Sequence, residues 1–226
     1  FRGDRVTWRD HFVCSREICL IGKTVVMPAG GRTVFIDDGG DAAVLKHVGE
    51  VPDYVGKEYP ATFGQSADKD GRVFVQWHRR DNAGRVEIMK LADGEFTTQV
   101  VPGTETSIDQ QGLLSFASVS VRGDDVYRVR PEQGAGFCRH SLATEETEVL
   151  CEAASICPPV LTRQHAIYGG LSGTLYVVPL QKGQVRKFKT AFGAAISAAV
   201  AVANDQVFVP CEDGYLYVFG PDGRQP

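Results

Sequence analysis

Apolar and polar residues alternate in short bursts along most of the chain, and each burst ends in a turn signal. The clearest example is Ala198–Phe219, AAVAVANDQVFVPCEDGYLYVF. Val200 and Val202 alternate with alanines up to Asn204-Asp205. Val207-Phe208-Val209 follows, Asp213-Gly214 turns the chain, and Leu216-Tyr217-Val218-Phe219 carries it back. Short β-branched and aromatic runs joined by Asn-Asp and Asp-Gly predict an antiparallel meander. No stretch sustains the 3.6-residue period of a helix, and Gly and Pro recur throughout, so the pattern predicts an all-β chain.

The same unit returns upstream. An apolar pair opens the second strand of each copy: Val25-Val26, Val73-Phe74, Val126-Tyr127, Ile167-Tyr168 and Val207-Phe208. The intervals are 48, 53, 41 and 40 residues, each long enough for four strands with their turns, the size of a propeller blade. In the first unit, strands are predicted over 18–21, 24–29, 32–36 and 43–48; in the second, over 61–65, 72–78, 85–91 and 96–101. The third has 115–121, 125–129, 136–141 and 147–150, and the fourth 159–162, 165–169, 174–179 and 184–189. The fold expected is a β-propeller of four-stranded antiparallel blades, near 18–50, 60–102, 114–152, 157–190 and 195–220, forming one domain over 1–226.

The fifth unit is one strand short, and Arg5–Val13 (RVTWRDHFV) is a β-compatible segment that belongs to no blade. Pairing these two would close a five-bladed ring and remove its exposed edges. Equally, the fifth blade is cut short and further blades belong to a longer parent. A two-sheet sandwich is the third arrangement compatible with the strands.

His165–Val178 (HAIYGGLSGTLYVV) and Gln206–Phe219 (QVFVPCEDGYLYVF) resemble the repeat of pyrroloquinoline-quinone (PQQ)-type propellers, in which a VYVG-like strand, an Asp-Gly turn and an LYALD-like strand follow one another. The likeness is strongest over 155–223. It implies the propeller fold and, for the dehydrogenases of the family, PQQ and calcium at the central channel. Those enzymes end each blade in T-G-x-x-x-W, with tryptophans docking between blades. This chain has only Trp8 and Trp77, neither at that position. The calcium-binding carboxylate and amide set, the catalytic Asp and the vicinal cysteines have no counterpart that the sequence identifies. The resemblance therefore implies kinship with the non-catalytic scaffolds and binding modules, for which no cofactor is expected.

Composition changes this picture little. A net charge of −4 and a pI near 5.8 exert no global pull on nucleic acid or anionic membrane, and no apolar run is long enough for a membrane helix. The six cysteines, Cys14, Cys19, Cys138, Cys151, Cys157 and Cys211, show no zinc or haem spacing. Cys138 and Cys151 lie symmetrically about the hairpin centre at Ala143–Glu146, which predicts a cross-strand disulfide; Cys14 and Cys19 are candidates to close a second, short loop. Disulfides would place the chain in the periplasm or outside the cell, whereas six buried thiols would suit the cytosol.

Candidate chemistry is sparse. Asp37-Asp38-Gly39-Gly40-Asp41 and Asp68-Lys69-Asp70-Gly71 cluster oxygen ligands, but both fall where hairpin turns are needed and neither has the distal Glu of an EF-hand. Gly169-Gly170-Leu171-Ser172-Gly173 opens no helix and so lacks the geometry of a phosphate loop. The five histidines have no G-x-S-x-G elbow beside them. Trp77 with Arg79 and Arg80 is a candidate partner-contact loop, able to stack on a ligand through cation–π contacts. The loops 49–59 and 103–112 exceed what a hairpin requires. The function expected is a scaffold presenting loops to a protein or polymer partner, without nucleic-acid binding or membrane insertion. The alternative is part of a quinone-dependent dehydrogenase, or a propeller hydrolase with paired carboxylates at the channel.

Overall fold

The protein is described from a computed structural model covering residues 19–29, 32–38, 43–48, 61–67, 70–78, 84–92, 95–102, 104, 119–129 and 136–220. Among these residues nineteen strands form five separate antiparallel sheets, each a meander of consecutive strands. The chain divides into two compact units, Phe1–Gly112 and Leu113–Pro226.

The first unit holds two sheets. One is built from β1 (Cys19–Ile21), β2 (Thr24–Ala29), β3 (Arg32–Asp38) and β4 (Ala43–Val48). The other has β5 (Ala61–Ala67), β6 (Arg72–His78), β7 (Gly84–Ala92) and β8 (Glu95–Val100). The β-branched and aromatic runs on β2, β3 and β6 provide the inward positions. Val26 and Phe35 of the first sheet pack against Val73, Val75 and Met89 of the second, all buried. A charged pair lies within this second sheet: Arg85 Nε donates to buried Glu87 Oε1 at 2.8 Å, which offsets part of the cost of burying the carboxylate. Thr104 ties the chain after β8 back to the sheet, its hydroxyl accepting from Val86 N at 3.0 Å and donating to Val101 O at 2.6 Å.

The second unit holds three sheets. The third sheet has β9 (Val119–Arg122), β10 (Asp125–Val129), β11 (Phe137–Ser141) and β12 (Thr147–Cys151). The fourth has β13 (Val160–Leu161), β14 (His165–Gly169), β15 (Thr174–Pro179) and β16 (Arg186–Lys189). The fifth has β17 (Ala201–Ala203), β18 (Gln206–Pro210) and β19 (Leu216–Phe219). Alternation along β14 and β15 gives the fourth sheet two apolar faces. Tyr168 and Val178 meet Tyr127, Val129 and Phe137 of the third sheet, while Ile167, Leu175 and Val177 meet Val209, Tyr217 and Phe219 of the fifth.

Aromatic rings occupy the seam between the third and fourth sheets. Tyr127, Phe137, Tyr168 and Tyr176 stack in sequence with centroids 5.9, 5.4 and 5.2 Å apart. Complete burial of one such side chain contributes roughly 1.5–3 kcal/mol, and the stacking adds to it. Arg122 crosses the same seam, its guanidinium donating to Arg163 O at 2.8 Å and to Thr162 O.

The expected second strands at 24–29, 72–78, 125–129 and 165–169 match β2, β6, β10 and β14 residue for residue. One expectation needs correction. A bulge between Phe137 and Cys138 shifts the β11–β12 register, so Cys138 opposes Val149 and Cys151 opposes Phe137. No disulfide joins Cys138 and Cys151.

Candidate functional site

Three loops meet at one end of the fourth and fifth sheets: the β14–β15 turn, the β16–β17 connection and the β18–β19 turn. The glycines singled out in the sequence explain how. A Cβ on Gly169 would run into Ile196. Gly173 has φ +68°, and a Cβ there would lie 2.5 Å from Thr190 Oγ1 and 2.7 Å from Gly193. The glycines therefore let the β16–β17 connection lie against the β14–β15 turn. Backbone hydrogen bonds then fix it: Ile196 N to Gly170 O at 3.1 Å, Thr190 N to Gly173 O at 2.9 Å and Glu212 N to Ala195 O at 3.0 Å. Buried Ser155 donates to Gly169 O and accepts from Cys157 N at 2.8 Å, and the Cys157 thiol reaches Ala198 O at 3.0 Å.

On this fixed base the loops display apolar side chains. Phe192 is 68% exposed and Tyr215 59% exposed, their rings 5.5 Å apart between centroids, and Leu171 of the β14–β15 turn is exposed at the same end. Tyr215 is the outer member of an aromatic series running inward through Tyr217, Phe219 and Phe188. Asp213 stands beside the pair, accepting from Tyr215 N at 3.0 Å and from the Tyr217 hydroxyl at 2.8 Å. Partial desolvation pushes the Asp213 carboxyl up, but these donors outweigh it and hold it below the ordinary carboxylate value. The site thus combines an exposed aromatic pair with a fixed negative charge.

At the opposite end of the sheets a groove of about 300 Å3 runs between β12 and the β15–β16 turn, lined by Val149, Leu150, Leu180 and Lys182 and by the Arg139–Glu148 ion pair at 2.7 Å. Both charges are largely solvated, so the pair adds little stability. His140 lies on β11, fully buried, with Nδ1 2.9 Å from Thr147 Oγ1. Burial first, and the Arg128 charge second, lower its pKa, with Glu145 acting in the opposite sense. The Tyr168 phenol is driven far above its ordinary value, chiefly by burial. Both environments suit packed core groups rather than groups facing a substrate.

The described residues among those singled out in the sequence are placed as follows. Trp77 lies within β6, where its backbone pairs with Thr62 and Arg85; Arg79 and Arg80 fall outside the described residues, as do Cys14 and most of the loops 49–59 and 103–112. Cys19 opens β1. Of the two acidic clusters, Asp37 and Asp38 close β3, with Asp37 accepting from the Thr24 hydroxyl, and Asp70 lies in the β5–β6 turn. Sequence reading missed Phe192 and Tyr215. A signal existed for the second, since the fifth unit carries Tyr215 where the fourth carries Thr174 after the same Gly turn.

No family model and no curated protein sequence matches this chain. Solved structures do. The extracellular domain of the putative one-component system BT4673 from B. thetaiotaomicron aligns over 89% of this chain with a TM-score of 0.62 at 10% identity. PorZ, a surface component of the type-IX secretion system of Porphyromonas gingivalis, aligns over 94% with a TM-score of 0.59 at 12% identity. BamB from Moraxella catarrhalis aligns over 92% with a TM-score of 0.57 at 14% identity. At these identities the likeness establishes the fold: the five antiparallel sheets match the blades of β-propeller proteins. The chain spans 26% of the BT4673 structure, 28% of PorZ and 62% of BamB.

Proposed function

We propose that this chain is a non-catalytic propeller-type binding module that presents the loop end of its second unit to a protein partner in the bacterial envelope. The observation that carries this reading is the exposed Leu171, Phe192 and Tyr215 on loops locked by glycine contacts and backbone hydrogen bonds. Exposed aromatics on a rigid scaffold give large contact area at small entropic cost, the property of interface anchors. The envelope location is supported by the neighbours, one described as a bacterial surface component and another as an extracellular domain.

A photo-crosslinking residue in place of Phe192, in the chain expressed in its source organism, tests the reading. Discrete adducts are expected from position 192 and none from position 182 at the opposite end. Tyr215→Ser with Leu171→Ser should abolish them without lowering thermal stability. The enzyme reading makes the opposite forecast: incubation with PQQ and calcium would confer dye reduction. That result, or silence at position 192, overturns the proposal.

A further inference from the structure

The loop end of the fourth and fifth sheets is made by residues 170–173, 190–200 and 211–215, every one of them described. These loops contain two acidic residues, Glu212 and Asp213, and no Lys, Arg or His. The turns at the other end of the same two sheets, 162–164, 180–185 and 204–205, carry Arg163 and Lys182 against Asp205. Uncompensated negative charge therefore coincides with the exposed rings of Phe192 and Tyr215. The charge is also fixed in place. Asp213 accepts from Tyr215 N at 3.0 Å and from the Tyr217 hydroxyl at 2.8 Å, which ties its carboxylate to the residue that carries the outer ring. Glu212 is held through its backbone N–H on Ala195 O, while its side chain is exposed and pairs with no cation among the described residues.

Other rings in this unit already carry a cation. Lys187 Nζ lies 5.8 Å from the Tyr176 centroid, and the Arg186 guanidinium lies 6.0 Å from that of Phe188. Among the described residues Phe192 and Tyr215 touch only aromatic neighbours. We propose that the Phe192–Tyr215 pair and the Asp213 and Glu212 carboxylates form a seat for an arginine side chain of the protein partner. The proposal rests on the binding-module reading and specifies the partner's chemistry. A planar guanidinium stacks on a ring while its in-plane N–H groups reach a carboxylate at the ring's edge. An ammonium offers no such plane, and a neutral sugar would use the rings but leave both carboxylates without a counter-charge. Leu171, exposed at the same end, receives an apolar neighbour of that arginine. The rings supply contact area and the carboxylates supply selectivity.

The test titrates the 226-residue chain with the capped tripeptide Leu-Arg-Leu, followed by amide chemical shifts. Saturable shifts are expected at Phe192, Gly214 and Tyr215 and none at Lys182. Citrulline in place of the arginine keeps the plane and removes the charge. It should weaken binding at least about 10-fold, the scale of a lost charge-assisted hydrogen bond, and lysine should fall between the two. Asp213→Asn keeps an acceptor for Tyr215 N; it should weaken the arginine peptide by a similar factor and leave the citrulline peptide unchanged. Tyr215→Phe should bind like the parent. The proposal is overturned if the arginine peptide fails to bind, if lysine or citrulline binds as tightly, if Asp213→Asn binds normally, or if the shifts fall away from the loop end. Crosslinking from position 192 that persists in Asp213→Asn removes the arginine seat alone; absence of crosslinking in the parent chain removes the binding-module reading.

Discussion

The fourth and fifth sheets share a sequence pattern, a turn chemistry and a register, yet among the described residues only the fourth has a fourth strand. The fourth has four strands and an apolar neighbour on each face. The fifth has three strands among the described residues, and its Leu216 stands in solvent where Leu175 is buried. Local sequence therefore decides that a strand forms and which way each side chain points. Whether that side chain contributes stability or is left for a partner depends on what lies beyond the sheet.

Substitutions at matched positions can break this contrast. The largest effect is expected at Tyr168, which lies fully buried between Phe137 and Tyr176. Tyr168→Ala should cost about 3–5 kcal/mol, the range for large aromatic truncations, read as a fall in the denaturation midpoint of the second unit. Next is the pair that differs only in surroundings. Leu175→Ala should cost about 2–5 kcal/mol, while Leu216→Ala should stay within about 0.5 kcal/mol of the parent. Equal losses in urea melts would mean that the fifth sheet is covered after all.

A smaller effect separates the matched turn glycines. Both have positive φ, +68° at Gly173 and +87° at Gly214, but only Gly173 has neighbours where a Cβ would go. Gly214→Ala should cost about 1–2 kcal/mol for the left-handed conformation alone. Gly173→Ala should cost more and should loosen the β16–β17 connection, visible as faster exchange at Ile196, whose amide bonds to Gly170 O.

The smallest effect concerns pH. Burial holds His140 below its ordinary value of 6.5, and His165 is lowered too, by burial and by the Arg186 charge. The unfolded chain therefore takes up these protons first as pH falls below about 6.5, and stability declines from there until the folded-state values are reached. Thermal midpoints measured between pH 7.5 and pH 5 should fall, with a shallower slope in His140→Gln.

Much of the fold was legible. β2, β6 and β10 were placed correctly because a turn glycine fixes their start and a β-branched or aromatic run follows; β14 shows the run alone, after Arg163-Gln164. The Cys138–Cys151 pairing was not legible, since a bulge at Phe137 leaves no mark in composition, yet it moves Val149 opposite Cys138. The Gly169–Gly173 cluster joins two strands, as its sequence predicts, but its role in making room for Ile196 and Gly193 needed the fold. The candidate site was the least legible part. Leu216 follows the same pattern as Leu175, so nothing local marks it as exposed, and Phe192 in a connecting stretch carries no periodicity to betray it.

Residue-resolved amide exchange on the isolated chain tests the central contrast most directly. Leu175 and Val177 should exchange only through opening of the fourth sheet, whereas Leu216 and Val218, whose N–H groups turn away from β18 and meet no strand among the described residues, should exchange orders of magnitude faster, with Tyr217 and Phe219 slow. Uniform protection along β19 would contradict it, because it would show the fifth sheet to be as closed as the fourth.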